Sequence, residues 1–458
     1  MSKFLAGAAK ICVDPTPEML PLPGIFGTWY EDVYASSYNR ALAIDNGESK
    51  FLIITFPFGS GGEEAKSIIS EKYDIPTEHI IFANTHNHGG PAMKLVAEQF
   101  LPDTEPSHQQ RLWAGQAVPK CLQAADEAFA NLHPARFGYG EGKSYININR
   151  NYQLADGSFA QLDNPEGCSD KTLSVTRIED YDGNVIAALV NYAAHAIATF
   201  RCTDQDGKTK INGDFPEYAS QFLENRYPGS VFLWTTGAAG NQNVIPLFKG
   251  DKDFHGYENV NMPAPCGLGF RYAEYIGQLH ALDIDKTLKQ IICDDGVVIH
   301  SACTTVEFDG QEIPGLKGKD YIFNIMLAQN SVPLLHELFP EKAFSEGKDR
   351  PIVMGVPCGE KVTMGMQLVI IGSVAYVAMN SEPFNEIGLL CKEKSPFKNT
   401  VLITCSDIGP CSSYLVDDDS AKWPLFQNVN NRVLAGNSNT IVSNGMLSLF
   451  KKIFNQAD

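Results

Sequence analysis

The stretch Ile80-Ile-Phe-Ala-Asn-Thr-His-Asn-His-Gly-Gly-Pro91 sets the tightest limit on how this chain can fold. An apolar run, Ile80 to Ala83, breaks into Thr85-His86-Asn87-His88 and stops at Gly89, Gly90 and Pro91. A short apolar run bounded by turn residues reads as a buried strand. Strand side chains two apart share a face, so a strand continued through the motif would project His86 and His88 together from its carboxyl end. The glycines then let the backbone turn away and leave room for a metal or a substrate. One reading is a zinc ligand beside a second, hydrogen-bonding histidine. The other is an ordinary strand-loop junction carrying two histidines.

The pattern recurs. The apolar run Val185 to Val190 leads into His195, Val374 to Met379 into Glu382, and Val401 to Thr404 into a loop ending at Tyr414. If these strands share a direction, their four side chains meet at one rim, where strand ends feed loops and sites collect. His/His/Glu is a catalytic zinc set that leaves a position for water. Tyrosine is a less usual ligand. Each residue also has a plainer reading: His195 as a core histidine bonded to a carbonyl, Glu382 as a charge favouring a helix start, Arg150 as a structural ion-pair residue, Tyr414 as a half-buried loop tyrosine.

The intervening sequence alternates strand and helix signals. Ala6 to Val13 reads as a strand. Tyr38 to Asp45, Asn46-Gly47 and Phe51 to Thr55 read as a hairpin, as do Ser174 to Ile178 with Val185 to Val190, and Met366 to Ile371 with Val374 to Met379. Short strands are expected around Arg136 to Tyr139, Tyr145 to Ile148 and Val231 to Trp234. Helices are expected over Glu63 to Lys72, Pro106 to Leu132 as one long helix, Phe270 to Leu288 and Thr440 to Phe454. Asn212-Gly-Asp-Phe-Pro-Glu217 opens another, with Asp214 as N-cap and Glu217 completing a capping-box-like pattern. Ser381 is the expected N-cap of a helix running through Leu390. Residues 248 to 268 read as a long surface loop. Gly237-Ala-Ala-Gly-Asn241 lacks the Lys-Ser/Thr ending of a P-loop, which excludes nucleotide binding there.

With 458 residues, 44% of them hydrophobic, the chain can bury a sizeable core. A net charge of −18 without any basic block argues against nucleic acid and anionic membrane surfaces as partners. Eleven cysteines without a C-x-x-C pair suggest a reduced, cytoplasmic protein with mostly buried thiols. No apolar run of membrane-spanning length is present, so no stable membrane association is expected.

Thr85-His-Asn-His-Gly-Gly-Pro91 resembles the Thr-His-Thr-His-Ser-Gly-Pro signature of the neutral (non-lysosomal) ceramidase superfamily of zinc-dependent amidases. The likeness runs from Ala6-Gly-Ala-Ala-Lys-Ile-Cys-Val-Asp-Pro15 to about Tyr414. Tyr192-Ala-Ala-His-Ala196 is similar to the family's Phe-Ala-x-His-Pro, Ser381-Glu-Pro-Phe384 to Pro-Gly-Glu-Pro-Phe, and Ser413-Tyr-Leu415 to its Gly-Tyr-hydrophobe segment. Carried over by position, the resemblance implies His86, His195, Glu382 and Tyr414 as zinc ligands. It implies substrate contacts for His88 and Arg150, the latter from Asn149-Arg150. The Gly237-to-Asn241 segment resembles Gly-Ala-Ala-Gly-Asp, and its backbone amides are expected to border the site. Asn87, Gly89, Ala196, Glu217, Asn241 and Ser381 depart from the family pattern. No counterpart of the family's secretion signal or C-terminal immunoglobulin-like domain is recognised.

The expectation is an α/β protein, mixed β-sheets flanked by helices, with residues 1–458 as a single catalytic domain. The expected chemistry is zinc-dependent hydrolysis of an amide bond in an N-acyl small molecule. His88, Arg150 and the Tyr414 hydroxyl would stabilise the oxyanion or move the proton. The alternatives are the same site acting on a small polar ester, lactone or sugar-derived substrate, and a metal-binding protein without turnover.

Overall fold

The computed structural model describes residues 4–24, 29–91, 106–155, 157, 159–200, 202–245, 268–295, 297–312, 356, 358–423, 425–429 and 431–455. The expected loop at 248–268 lies outside the described residues except for its last position, which begins the helix Leu268–Leu288.

Three sheets enclose one core. The first has the order Ile80–Asn84, Lys50–Phe56, Tyr38–Asp45, Leu5–Cys12, His133–Pro134. The second has Val231–Thr236, Val185–Tyr192, Thr172–Glu179, Arg136–Lys143. The third has Ile299–Asp309, Lys361–Ile371, Val374–Met379, Asn399–Ile403. All three are mixed. Each contains antiparallel hairpins and one parallel pair: Lys50–Phe56 with Ile80–Asn84, Val185–Tyr192 with Val231–Thr236, and Val374–Met379 with Asn399–Ile403.

Side-chain alternation explains the layering. Ile53, Ile81, Ala187, Leu189, Leu233, Val369, Ile371 and Ile403 point into the shared centre. Their strand neighbours Leu52, Ile54, Ile80 and Phe82 face outward onto the helices Gly62–Tyr73 and Ala117–Ala130. Ala188, Val190 and Phe232 face Asp214–Arg226 and Leu268–Leu288. Leu368, Ile370 and Val377 face Asn385–Lys394 and Ser438–Asn455. Strands buried on both faces read as continuous apolar runs, which is why they stand out in the sequence.

The carboxyl ends of three edge strands meet. Asn84 N donates to Cys405 O (3.1 Å), Thr404 N to Thr236 O (2.8 Å), and Thr236 Oγ1 to Asn84 O (3.2 Å). These bonds tie the three sheets together at the end where the polar residues emerge.

Several local expectations change. The helix expected over 106–132 is two, His108–Ala114 and Ala117–Ala130, broken at Gly115. Its start is a capping box between Ser107 and Gln110. Asp214 is not an N-cap. Gly213 holds that position, and Asp214 has φ +57°. Glu217 does not close a capping box either. With Glu224 it grips Arg40 of the first sheet (Nη2–Oε1 2.6 Å, Nε–Oε1 2.7 Å). Ser381 caps nothing: Glu382–Pro383 forms a short strand, and the helix begins at Asn385 behind Phe384. Of the ten described cysteines only Cys121, Cys202, Cys293 and Cys391 are buried, so the thiols are not mostly buried. Among the described residues no helix is long and apolar enough to cross a membrane.

Candidate metal centre and active site

The strand Ile80–Asn84 ends two residues before His86, so His86 and His88 do not alternate on a continued strand. The chain instead turns at His86, which has φ +58°. Its amide donates to Asn84 Oδ1 at 2.8 Å, a local bond that supports the left-handed turn. His88 is then fixed on both sides of its backbone: N to Ala196 O at 2.9 Å, and O accepting from Tyr30 Oη at 3.2 Å. The two rings still meet edge to face, with centroids 4.9 Å apart. Cys405 and Ser413, also at this end, have φ +53° and +71°. Non-glycine residues held in that region cost energy and cluster at functional sites.

His195 lies just past the strand Val185–Tyr192, at the floor, with its side chain 1% exposed against 19% for His86 and 21% for Glu382. The site therefore opens on the His86–Glu382 side. Glu382 is paired in register with Tyr414 in a short parallel ladder. Arg150 falls between Asn149 and Asn151, where the pairing of its strand with Phe159–Asn164 shifts register. The extra residue lies on the partner strand, where Leu162 and Asp163 stand against Arg150 alone, and the local twist of such a bulge accompanies the turn of Arg150 into the site.

Three donor atoms converge. His86 Nε2 is 3.1 Å from His195 Nε2 and 3.0 Å from Glu382 Oε2, and His195 Nε2 is 3.3 Å from the same oxygen. His195 Nδ1 lies 2.7 Å from Ala239 O and 3.0 Å from Gln242 O. Carbonyls only accept, so Nδ1 carries the hydrogen and the Nε2 lone pair of the neutral ring faces the centre. A cation fits where a lone pair, a second imidazole and a carboxylate gather. Four-coordinate donors about 2.1 Å from an ion sit roughly 3.4 Å apart, close to these spacings. Nitrogen atoms of His86, His88 and His195 also lie within 4.8 Å of one another and could hold a metal ion. His86 and His195 belong to both sets; Glu382 or His88 is the third member.

The electrostatics follow the packing. Burial pushes the His195 pKa down to about 3, and Arg150 adds to the effect. Burial also holds the pKa of His88 well below the ordinary value, with His86 and His195 adding to it. At His86, burial disfavours the imidazolium, but neighbouring Cys405 and Glu382 outweigh it and raise the pKa well above the usual range. Burial opposes ionisation of Glu382 as well, yet His86 and His195 hold its pKa well below the ordinary value. Burial and Glu382 raise the Tyr414 phenol.

Arg150 is buried, 2% exposed, and its cradle is neutral. Nη2 donates to Gly240 O at 2.7 Å and to the Tyr414 hydroxyl at 3.1 Å, and Nη1 to Asn243 Oδ1 at 3.4 Å. Among the described residues no carboxylate pairs with it, and Nε has no partner. A buried guanidinium without a counter-ion favours an anion beside it.

The structure thus brings His86, His88, Arg150, His195, Glu382 and Tyr414 to one place. The segment Gly237 to Asn241 reaches it too, through carbonyls: Ala239 O faces His195 and Gly240 O faces Arg150, while two of its amides, Gly237 N and Gly240 N, are spent on Tyr192 O and Pro383 O. Asn243, Cys405 and Gln427 were not singled out in the sequence. Gln427 Nε2 donates to Gly240 O at 3.2 Å and to Asn151 Oδ1 at 3.0 Å, bracketing Arg150. Nothing in their local sequence marks them, since backbone neighbours and long-range partners carry no motif.

No protein-family model matches the chain. Neutral ceramidase A of Dictyostelium discoideum is 28% identical over 169 residues, which span 35% of this chain and 22% of that protein. The crystal structure of neutral ceramidase from Pseudomonas aeruginosa superposes with a TM-score of 0.69 at 15% identity, over 98% of this chain and 74% of that one. A ceramidase structure complexed with C2 superposes with a TM-score of 0.71, also at 15% identity, over 100% and 76%. The three mixed sheets, the helices around them and the order in which they occur give this chain the neutral ceramidase-like fold.

Proposed function

We propose that the protein is a zinc-dependent hydrolase of the amide bond in an N-acyl compound. The observation that carries the reading is the convergence of His86 Nε2, His195 Nε2 and Glu382 Oε2 within 3.3 Å beside the guanidinium of Arg150, which among the described residues has no carboxylate partner. His86, His195 and Glu382 would hold the zinc, with Tyr414 as the adjoining fourth side chain. Zinc supplies Lewis acidity toward the substrate carbonyl and acidifies a bound water toward a pKa of about 7.

The chain's own residues do the rest. The carbonyls of Ala239 and Gln242 fix the tautomer of His195. Arg150 offers a positive charge to the oxygen that becomes negative as the carbonyl is attacked, and it requires no reorganisation, because Gly240 O, Asn243 and Tyr414 already hold it. His88, kept neutral by burial and half open to solvent, can accept a proton at one ring nitrogen and return it to the leaving amine. The Tyr414 hydroxyl, kept protonated, donates to the same developing charge. We also read the protein as cytoplasmic, from eleven cysteines without a C-x-x-C pair in the sequence.

The test is hydrolysis of short soluble N-acyl amides, ceramides, esters and lactones by protein purified without added metal. Amide cleavage that a chelator abolishes and zinc restores supports the proposal. Full activity of metal-free protein, or cleavage of esters and lactones with no amide turnover, sinks it.

A further inference from the structure

Asp214 has no part in the chemistry above, yet it is fully buried and held at φ +57°. Its carboxylate does not serve the free end of its own helix alone. Oδ2 accepts from Thr199 N and Thr199 Oγ1, both at 2.7 Å, and Oδ1 accepts from Phe215 N at 2.7 Å. The Asp214 amide donates to Asn212 Oδ1 at 2.8 Å. Asn212 in turn holds the residues on either side of His88: its carbonyl accepts from Asn87 Nδ2 at 2.8 Å, and its amide donates to Gly89 O at 2.9 Å.

Thr199 closes the circuit. It sits four residues after His195, in the segment whose Ala196 carbonyl accepts from His88 N. Its hydroxyl also fills the space above Gly89, where an added Cβ would lie 2.3 Å from Thr199 Oγ1. One carboxylate therefore ties the start of the helix Asp214–Arg226 to the segment after His195, and both segments grip the backbone around His88. A left-handed aspartate costs energy that the fold retains only where surrounding contacts hold it.

We infer that Asp214 is a positioning residue for His88, acting through Thr199 and Asn212 to hold the turn Asn87–Gly89 against the segment that follows His195. This deepens the hydrolase reading and rests on its placement of His88 at the substrate. The clamp sets where the imidazole stands and has no direct contact with substrate. Asparagine at 214 tests it sharply. It matches the shape and tolerates the left-handed conformation. Both carboxylate oxygens accept backbone N–H groups, however, so either orientation of an amide sets NH2 against a donor.

The experiment compares wild type, Asp214→Asn, Thr199→Val and Thr199→Ser. The readouts are zinc content, melting temperature, kcat and KM on a short-chain N-acyl amide, and the imidazole resonances by NMR. His79 serves as an internal reference, its Nδ1 bonded to Lys50 O at the amino end of the strand Ile80–Asn84, opposite the end that leads to His86. The inference expects Asp214→Asn and Thr199→Val to keep zinc, to shift the His88 resonances but not those of His79, and to lose on the order of tenfold or more in kcat with KM changed by less than about threefold. Thr199→Ser, which retains the hydroxyl, should recover the rate lost in Thr199→Val. Unmoved His88 resonances in both variants overturn the inference, as does an unchanged kcat. If Asp214→Asn does not fold, the Thr199 pair decides alone. If wild type cleaves no amide, the hydrolase reading fails, and the His88 resonances still decide the positioning role.

Discussion

His195 turns Nδ1 to the carbonyl oxygen of Ala239 at 2.7 Å, and this bond decides which nitrogen faces Glu382. Outer hydrogen bonds of this kind orient a metal-binding imidazole and make it more basic. His195→Ala and His86→Ala should therefore lose metal and activity together. His88→Ala and Arg150→Ala should keep the metal and lose roughly a hundredfold or more in rate, the usual scale for oxyanion donors. Elemental analysis beside steady-state rates checks this. Metal loss at His88→Ala with retention at His86→Ala would reverse the two roles.

Gly240 is a second point of sensitivity. A Cβ there would lie 2.5 Å from Glu382 O and 3.0 Å from Pro383 O. Gly240→Ala should push the Glu382 strand away from the loop that holds His195 and Arg150, costing about 1–3 kcal/mol by overpacking and weakening metal retention. Gly183→Ala makes a useful comparison, because that turn glycine has φ +85° and nothing within 4 Å of the added atom. It should lower the melting temperature while leaving metal content and rate unchanged.

The buried pairing of Arg40 with Glu217 and Glu224 is a stability device that joins the first sheet to the helix Asp214–Arg226. Arg40→Ala leaves two buried carboxylates without their guanidinium and should cost about 3–5 kcal/mol in denaturant unfolding.

The same network gives a pH dependence. Burial pushes the Glu224 carboxyl up, but Arg40 and then Lys10 outweigh it, so its folded pKa lies below the ordinary 4.5. A group lowered in the folded state contributes stability above its unfolded pKa and loses that contribution as pH falls through the folded value. Acid unfolding should therefore steepen below pH 4.5. Glu224→Gln should flatten that limb while leaving the neutral-pH activity profile in place. An identical acid limb in the variant would exclude Glu224 as its source.

The sequence made the strands and the identity of the converging residues legible because both are local signals. Ile80 to Ala83, Val185 to Val190 and Val374 to Met379 are apolar on both faces, and each is followed by a residue with metal chemistry. What was not legible depends on partners distant in sequence. Asp214 and Glu217 carry the spacing of a cap, but Thr199 and Arg40 offer their carboxylates better company than the helix end does. Ser381 looks like a cap until Glu382 pairs with Tyr414, which delays the helix to Asn385. The Gly237-to-Asn241 turn was expected to present amides, yet Tyr192 and Pro383 occupy two of them and leave the carbonyls to face inward. The Ser107–Gln110 capping box was available in the sequence and marks where the first of the two helices after residue 106 begins.

The three atoms that converge at the centre are 109, 187 and 296 residues apart along the chain, pair by pair. No fragment emerging from a ribosome carries the complete set until Glu382 has been made, and none presents it until all three sheets have closed. Closing loops of that length is slow relative to local structure. Until Glu382 joins them, His86 and His195 offer a cation no negative charge of this set. Metal capture should thus be the final step of maturation, so the fraction of chains carrying metal after expression reports how many have folded completely.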